Sequence, residues 1–467
     1  MMKIKDLHFL FKKRELSPLA LLQDLLKKIK KEDKEYHSFL FLTEELAFSL
    51  ARSAEEEILK GDFHPLCGVP LSVKDNILIK GEKCTAGSKI LENYIASYDA
   101  TVIKKIKEKK GVILGKTNLD EFAMGSSTEN SAFFVTKNPW DKTKVPGGSS
   151  GGSATAVAKE FCFYSLASDT GGSIRQPASF CNVFGLKPTY GTVSRFGLIS
   201  MASSLDQIGV IANSVEDLEI VFEAISGKDP LDQTTVDFSF KKEKISSLKG
   251  LKFAFLKEAF EKEVDDEIKK NFNEFLEKIK KEGAKIKEVS FESFRYALAC
   301  YYIIMTAEAS ANLARYDGER FGKKIPGLDF FEEISKTRGK YLGKEVKRRI
   351  ILGSFVLSKG YFEDYYLKAQ KIRNFIRKEF EKTLQEFDFL LMPTSPILPF
   401  KIGERINDPL LMYLCDIFTV PLNLSGFCGI SMPTSKGKKI SPGIQIIGGP
   451  FKEGKIFAVG KILETLI

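Results

Sequence analysis

Pro146-Gly-Gly-Ser-Ser-Gly-Gly-Ser-Ala154 and Ser168-Asp-Thr-Gly-Gly-Ser-Ile-Arg-Gln-Pro177 are the two stretches of this sequence that say most about its fold and chemistry. Glycine-rich loops before helices often bind phosphate. Neither stretch has the Gly-Lys-Ser/Thr ending of a Walker loop or the G-x-G-x-x-G spacing of a Rossmann fingerprint. Dense glycine and serine let a backbone approach a ligand closely, and successive amides can then hold an oxyanion. The stretches therefore indicate either two flexible turns or a site built around a reactive serine.

A nucleophilic serine needs a base, and histidine is the usual one. The three histidines, His8, His37 and His64, precede both stretches and lie in no matching motif, which predicts surface or packing roles for them. Lys74 is the next candidate, because it follows the apolar run 68–73 at the end of a predicted strand. A lysine with an ordinary pKa of about 10.4 is almost fully protonated at neutral pH, so this hypothesis requires burial that lowers the pKa of Lys74.

The two stretches and the upstream lysine resemble the hallmarks of the amidase signature family. Those hallmarks are a Gly-Gly-Ser-Ser-Gly-Gly-Ser segment, a later Gly-Gly-Ser-Ile-Arg segment and an earlier Val-Lys-Asp context, and all three stand here in order. The resemblance implies that Ser173 attacks a carboxamide, that Ser149 relays the proton and that Lys74 is the base. It also implies a cis peptide at Ser149. Four consecutive backbone amides would hold the oxyanion, those of Thr170, Gly171, Gly172 and Ser173.

Almost the whole chain is similar to a branch of that family, the glutaminase components (the A subunits) of tRNA-dependent amidotransferases. The segments that carry this similarity are 118–125, 187–197, 203–209 and 343–350. The resemblance implies that Tyr301, Arg349 and Asp416 bind free glutamine. An arginine fork can pair with the α-carboxylate, an aspartate can accept the α-ammonium, and a tyrosine hydroxyl can orient the side chain.

The same resemblance implies a set of partners. Ammonia from glutamine would pass to a partner that converts Glu-tRNA(Gln) to Gln-tRNA(Gln), and the amidation of Asp-tRNA(Asn) stays open. Subunits B and C are the expected partners, and mischarged tRNA would bind mainly through them. ATP and Mg²⁺ are expected on the partner subunit, since no segment of this chain is typical of an ATP site. No cofactor or metal is expected in this chain.

Two alternatives stand beside this interpretation. A stand-alone amidase of the same family would act on another carboxamide, but it would not need both Arg349 and Asp416 to meet the two charges of an amino acid. A catalytically silent scaffold or RNA-binding subunit is favoured only by the formal net charge of +10. Such a protein would not need to keep Lys74, Ser149 and Ser173 together.

The composition is typical of a soluble globular protein: 467 residues, 43% hydrophobic and 28% charged. No apolar run approaches the length of a membrane span, and the N-terminus lacks the features of a signal peptide, so a cytoplasmic location is expected. The seven cysteines are scattered without a C-x-x-C pair, which predicts buried free thiols rather than disulfides or a zinc site. The lysines alternate with glutamates, as on solvated helix faces.

Hydrophobic periodicity predicts an α/β fold. Helices are predicted over 17–31, 44–60, 101–109 and 265–281, and strands over 68–75, 111–115, 251–256, 284–289, 389–394 and 443–447. With the family resemblance, this pattern indicates the amidase signature fold, a mixed sheet sandwiched between layers of helices. We expect one domain over 1–467, with an N-terminal helical part (1–62) and a helix-rich insertion (290–385).

Overall fold

The fold is built on one mixed sheet, seen in a computed structural model that describes residues 2–261, 263–435, 437 and 439–467. Its strands are β1 (Phe39–Leu42), β2 (Pro70–Lys74), β3 (Val112–Thr117), β4 (Tyr164–Asp169), β5 (Phe184–Lys187), β6 (Gln207–Ala212), β7 (Lys252–Leu256), β8 (Lys285–Val289), β9 (Phe389–Pro393), β10 (Cys428–Pro433) and β11 (Gly443–Gly448). Their order in the sheet is β1-β3-β2-β4-β6-β5-β10-β11-β9-β7-β8. Strands β3, β2 and β4 are parallel, as are β9, β7 and β8, while the pairs between these groups are antiparallel.

Helices surround the sheet. They are α1 (Ile4–Lys12), α2 (Pro18–Tyr36), α3 (Glu44–Leu59), α4 (Thr101–Glu108), α5 (Gly151–Ala158), α6 (Arg175–Phe180), α7 (Val215–Ile225), α8 (Asp266–Lys281), α9 (Phe294–Asn312), α10 (Phe330–Tyr341), α11 (Lys344–Val356), α12 (Lys368–Glu386), α13 (Pro409–Leu414), α14 (Val420–Ser425) and α15 (Glu453–Leu463). Local signals start several of them. For example, Ser17 caps α2 by accepting a hydrogen bond from the Ala20 amide, and Pro18 occupies the first turn.

Both faces of the sheet are covered by helices. Successive side chains of a strand point to opposite faces, and β9 shows the result: Phe389 and Leu391 join the core formed with α7, α8 and α15, whereas Leu390 and Met392 join the core formed with α9, α12 and α14. A further core packs α2, α3 and α5 over the β1 end of the sheet. The α/β fold with helix layers on a mixed sheet is therefore confirmed.

The strongly periodic elements lie where the sequence predicts them. The predicted helices correspond to α2, α3, α4 and α8, and the predicted strands to β2, β3, β7, β8, β9 and β11. Periodicity misses β1, β4, β5, β6 and β10. Strands β4 and β6 are buried throughout but contain serine, glycine, glutamine and aspartate, which interrupt the apolar pattern that predicts a buried strand.

The N-terminal segment 1–62 contains a β-strand in addition to its helices. Its strand β1 pairs with β3 at one edge of the sheet, so this segment contributes to the sheet as well as to the helix layers. Between β8 and β9, the described residues form helices α9 to α12 and no strand. The division of the chain into folding units stays a prediction.

The cysteines, the helix lengths and the arrangement of metal-binding residue types can be compared with the expectations from the sequence. All seven cysteines are buried free thiols, as predicted. Among the described residues, no helix is both long and apolar enough to cross a bilayer. The same residues contain no cluster of three or more His, Cys, Asp or Glu side chains arranged to hold a metal ion.

Candidate active site

Lys74 lies at the centre of the candidate site. It is the last residue of β2, the strand that pairs with β3 on one side and with β4 on the other. Its side chain is fully buried. Its Nζ donates hydrogen bonds to Ser149 Oγ and Ser150 Oγ, both at 2.8 Å, and to Ser168 Oγ at 3.0 Å. The end of β2 thus brings the lysine to both glycine-serine stretches.

A second buried lysine shows why the environment of Lys74 matters. Lys116 on β3 is equally buried, but its Nζ lies 2.9 Å from Asp75 Oδ1. Burial is the largest single influence on Lys116 and would lower its pKa, but the neighbouring Asp75 and Cys84 side chains together outweigh it, so the pKa of Lys116 is raised. Within the described residues Lys74 touches hydroxyl and carbonyl oxygens but no carboxylate, and burial lowers its pKa to about 7. A neutral amine is therefore accessible at Lys74 near neutral pH.

Ser149 follows a cis peptide bond from Gly148, as the family resemblance implies. The Gly148 amide donates to Gln176 Oε1 at 2.9 Å, and a side chain at position 148 would overlap the Asp120 carboxylate. Helix α5 begins two residues later, at Gly151. Glycine at 148 therefore lets the loop pass close to Asp120 while Ser149 faces Lys74.

Ser173 lies in the loop between β4 and α6. Its carbonyl oxygen accepts a hydrogen bond from the Ser150 amide at 3.1 Å, which joins the two stretches. Within the described part of the chain, Ser173 Oγ makes no hydrogen bond, so it is not directly bonded to Ser149 Oγ. The Ser173 side chain is 7% exposed whereas that of Ser149 is fully buried. Ser173 is thus the more accessible of the two serines to a substrate.

The backbone amides around Ser173 differ in what they contact. The Gly172 amide donates to Asp169 Oδ1 at 2.8 Å, so it is not free in this structure to bind an oxyanion. The amides of Gly171 and Ser173 have no acceptor among the described residues. The Thr170 hydroxyl donates to Asp206 Oδ1 at 2.7 Å. The Thr170 amide, like those of Gly171 and Ser173, has no acceptor among the residues that the structure describes, so three of the four amides that the resemblance implies are candidates and the Gly172 amide is not.

A buried ion pair holds this loop, and sequence reasoning assigned it no role. Asp169, at the end of β4, contacts Arg175 through both carboxylate oxygens, at 3.0 and 3.1 Å. Burial alone would raise the pKa of Asp169, but the positive charge of Arg175 lowers it well below its usual range. Arg175 also donates to the Thr419 carbonyl oxygen and to Gln445, so the loop is fixed to the opposite half of the sheet. The motif Asp-x-Gly-Gly-Ser-Ile-Arg contains both partners, which is the signal that could have identified them.

The three expected glutamine-binding residues lie around the same loop. The Tyr301 ring packs against Gly171 so closely that a Cβ there would overlap it. Asp416 lies in the same segment as Thr419, whose hydroxyl donates to the Gly171 carbonyl oxygen at 2.6 Å. Arg349 approaches from α11, beside Tyr302, the neighbour of Tyr301 in the chain and in ring contact with it.

Arg349 is buried among aromatic rings. Its guanidinium lies 5.3 Å from the centre of the Tyr302 ring and 5.5 Å from that of Tyr413. Its Nε donates to Glu345 Oε1 at 2.8 Å, and Tyr413 donates to the same oxygen at 2.8 Å. Sequence reasoning missed Glu345 and both tyrosines, although the spacing of Glu345 and Arg349 is that of an ion pair within a helix.

Asp416 is a buried acid whose carboxylate has one hydrogen-bond partner among the described residues. Ser126 Oγ donates to its Oδ2 at 2.6 Å. Burial raises the pKa of Asp416 to about 7, because the ionised carboxylate has lost most of its hydration. A positively charged ligand group beside Asp416 would favour its ionised form.

The histidines lie away from these serines, in the packing roles predicted for them. The His8 ring contacts Phe63, the His37 ring contacts Phe134, and His64 Nδ1 accepts a hydrogen bond from the Leu66 amide.

Comparison with known proteins gives one consistent picture. A family model described as Amidase matches residues 20–457. The chain is 48% identical to the A subunit of the glutamyl-tRNA(Gln) amidotransferase from Microcystis aeruginosa, over 99% of this chain and 97% of that protein. It is 49% identical to the protein of the same name from Thermoanaerobacter pseudethanolicus, over 99% and 95%. The crystal structure of the same protein from Thermotoga maritima superposes with a TM-score of 0.79 and 42% identity, covering 97% of this chain and 95% of that one.

Proposed function

The chain belongs to the amidase family, and we propose that it is the glutaminase subunit of a glutamyl-tRNA(Gln) amidotransferase, with a Ser173–Ser149–Lys74 triad. The observation that carries the proposal is the buried Lys74, which contacts no carboxylate among the described residues and lies 2.8 Å from Ser149 Oγ. The near-complete similarity to the A subunits of these enzymes supports the choice of glutamine over another carboxamide.

In the proposed reaction, Ser173 Oγ attacks the side-chain carbonyl of glutamine. Its proton passes to Ser149, and the proton of Ser149 passes to Lys74 Nζ. The C–N bond then breaks, the nitrogen leaves as ammonia with a proton returned through Ser149, and water releases glutamate from the acyl-enzyme. We assign the stabilisation of the oxyanion to the amides of Thr170, Gly171 and Ser173, since the Gly172 amide is held by Asp169.

The two charged groups of free glutamine would bind to oppositely charged side chains on two sides of the pocket. Arg349 would pair with the α-carboxylate, Asp416 would accept the α-ammonium, and Tyr301 would pack against the side chain beside Gly171. Arg349 is already aligned by Glu345 and two tyrosine rings, so little conformational freedom is lost when it binds a carboxylate.

The ammonia would be used by partner subunits B and C, which would also supply ATP, Mg²⁺ and most of the tRNA contacts. Exposed apolar side chains on the helix that carries Arg349 support such a partner: Ile351 is 69% exposed and Phe355 is 43% exposed. Apolar groups clustered at a surface mark protein interfaces more often than free surface. We place the reaction in the cytoplasm, where its tRNA substrate would be found, and amidation of Asp-tRNA(Asn) would be a second use of the same ammonia.

Ammonia release tests this function. We expect the chain purified with co-expressed subunits B and C to release ammonia from glutamine, and to do so faster than the chain alone. Glutamine and a panel of simple carboxamides would be compared with both preparations. Equal rates on all carboxamides, with no effect of the partners, would favour a stand-alone amidase. No release from any of them would favour a silent scaffold or RNA-binding subunit.

The proposed carboxylate contact predicts the effect of Arg349→Ala. A hydrogen bond to a charged group contributes about 1.5 to 3 kcal/mol, so the variant should lower kcat/KM for glutamine at least about tenfold. Arg348→Ala is the matched control, because Arg348 pairs with the same Glu345 but is partly exposed. Thermal unfolding of both variants would separate binding from stability. Unchanged kinetics in Arg349→Ala would remove this residue from the pocket.

A further inference from the structure

One segment, residues 118–130, contacts three separate parts of the candidate site. The Asp120 amide donates to the carbonyl oxygen of Ser149, at 3.3 Å. Glu121 reaches the start of α11, and Ser126 reaches Asp416. We call this segment the brace. It joins the relay serine to both sides of the proposed glutamine pocket.

Glu121 is 1% exposed and holds the N-terminus of α11. Its Oε2 accepts a hydrogen bond from the Gly343 amide at 2.7 Å, and its other oxygen accepts one from Ser88. Gly343 is the residue that precedes the first turn of α11, where a carboxylate is stabilised by unpaired amides and the helix dipole. A Cβ at position 343 would overlap Glu121 Oε2, so glycine permits this contact. Glu121 therefore fixes the helix that presents Arg349.

Ser126 acts on the opposite side of the pocket. It is 2% exposed, and its hydroxyl donates to Asp416 Oδ2 at 2.6 Å. Gln176 holds the Ser126 backbone by donating to its carbonyl oxygen at 3.0 Å. Asp416 Oδ1 has no partner among the described residues, so the contact with Ser126 orients the carboxylate and leaves one oxygen for a ligand.

We propose that Glu121 and Ser126 are positioning residues, each of which orients one of the two charged groups that bind the substrate. Glu121 positions Arg349 for the α-carboxylate by holding α11. Ser126 positions Asp416 for the α-ammonium. The inference rests on the proposed glutaminase function. It goes beyond that function because neither residue touches the substrate, and each is tied to a different half of the zwitterion.

Three substrates distinguish the two roles in the complex. Glutamine carries both charges, glutaramate lacks the α-ammonium, and 4-aminobutanamide lacks the α-carboxylate. Glu121→Gln should raise KM roughly fivefold or more for glutamine and glutaramate, and leave 4-aminobutanamide unchanged. Ser126→Ala should raise KM by a similar factor for glutamine and 4-aminobutanamide, and leave glutaramate unchanged. Both variants should alter kcat much less than KM.

Glu332→Gln is the matched control, because Glu332 lies in the first turn of the neighbouring helix α10 and pairs with Lys336 on that helix. It should change KM for none of the three substrates. A uniform rise in KM for all three substrates in either brace variant, or a loss confined to kcat, would overturn the proposal.

Hydrogen–deuterium exchange tests the Glu121 contact without any reaction. The amides in the first turn of α11 should exchange faster in Glu121→Gln than in the parent chain, and those of α10 should not. Unchanged exchange in α11 would overturn the role of Glu121. If the parent complex hydrolyses no glutamine while exchange in α11 still rises, the proposed function fails and the structural contact stands.

Discussion

Replacing Ser173 by alanine is expected to lower glutamine hydrolysis by at least about four orders of magnitude, as loss of a nucleophile does in other serine hydrolases. The alanine cannot form the acyl-enzyme, so only the residual acceleration that the oxyanion amides and substrate binding give to direct attack by water would remain. Ammonia release would be measured under single-turnover conditions, where a slow chemical step cannot be hidden by product release. A glutamine-derived electrophile should label Ser173 in the parent chain and leave the variant unmodified.

The site of labelling can be checked within the same stretch of sequence. Ser153→Ala is a suitable control, because Ser153 belongs to the first glycine-serine stretch but bonds to Thr117 at 2.7 Å and, among the described residues, makes no hydrogen bond to Lys74. It should keep both activity and labelling. Mass spectrometry that placed the adduct on Ser149 or Ser150 would show that the nucleophile is misassigned. An adduct on a cysteine would do the same, and it is not expected because burial raises thiol pKa values, that of Cys84 to about 12.

Sequence alone locates the catalytic candidates because each lies in a short, contiguous motif. It does not reveal the residues that hold them. Glu121 contacts Gly343 across 222 positions of the chain, and Ser126 contacts Asp416 across 290. No local spacing connects such pairs, since they meet only where α11, between β8 and β9, and the segment after α13, between β9 and β10, fold back onto the loops of the sheet.

The failure of hydrophobic periodicity to predict some strands has a related cause. Strand β4 ends in Ser168 and Asp169, which are buried because they serve Lys74 and Arg175 rather than because they are apolar. A hydrophobic pattern identifies strands whose burial is driven by apolar side chains. It fails where buried polar groups satisfy one another, and here that is at the candidate site.

The two buried lysines show most clearly what cannot be predicted from the sequence alone. Asp75 directly follows Lys74 in the chain, and this adjacency could indicate an ion pair between the two side chains. Lys74 ends β2 and Asp75 begins the turn that follows, and the Asp75 carboxylate pairs with Lys116 on the adjacent strand β3. Lys74 is left with hydroxyl partners and a lowered pKa. The sequence predicts that a base is required, and the tertiary contact of Asp75 determines which lysine can act as one.

Lys74→Arg is expected to lower glutamine hydrolysis by at least about a hundredfold, the lower end of what a positioned base supplies. Arginine keeps the positive charge and can donate to Ser149, but its guanidinium stays protonated and cannot accept a proton. The larger side chain must fit a fully buried site, so thermal unfolding and labelling of Ser173 would be measured beside the rate. A folded variant with near-normal turnover would show that the base lies elsewhere.

The parent enzyme should also depend on pH in the direction that a neutral lysine requires. Burial lowers the pKa of Lys74 to about 7, and the amine must be unprotonated to accept the proton relayed by Ser149. As pH falls below this value, the ammonium form predominates, and the protonation of Lys74 alone should decrease kcat/KM about tenfold per pH unit, with a plateau above it. Asp416 has a pKa raised to about 7 and would lose its affinity for the α-ammonium over the same range. Glutaramate separates the two effects, because it has no ammonium group: an acid limb that persists with glutaramate belongs to Lys74, whereas one that disappears belongs to Asp416 and would contradict a lysine base.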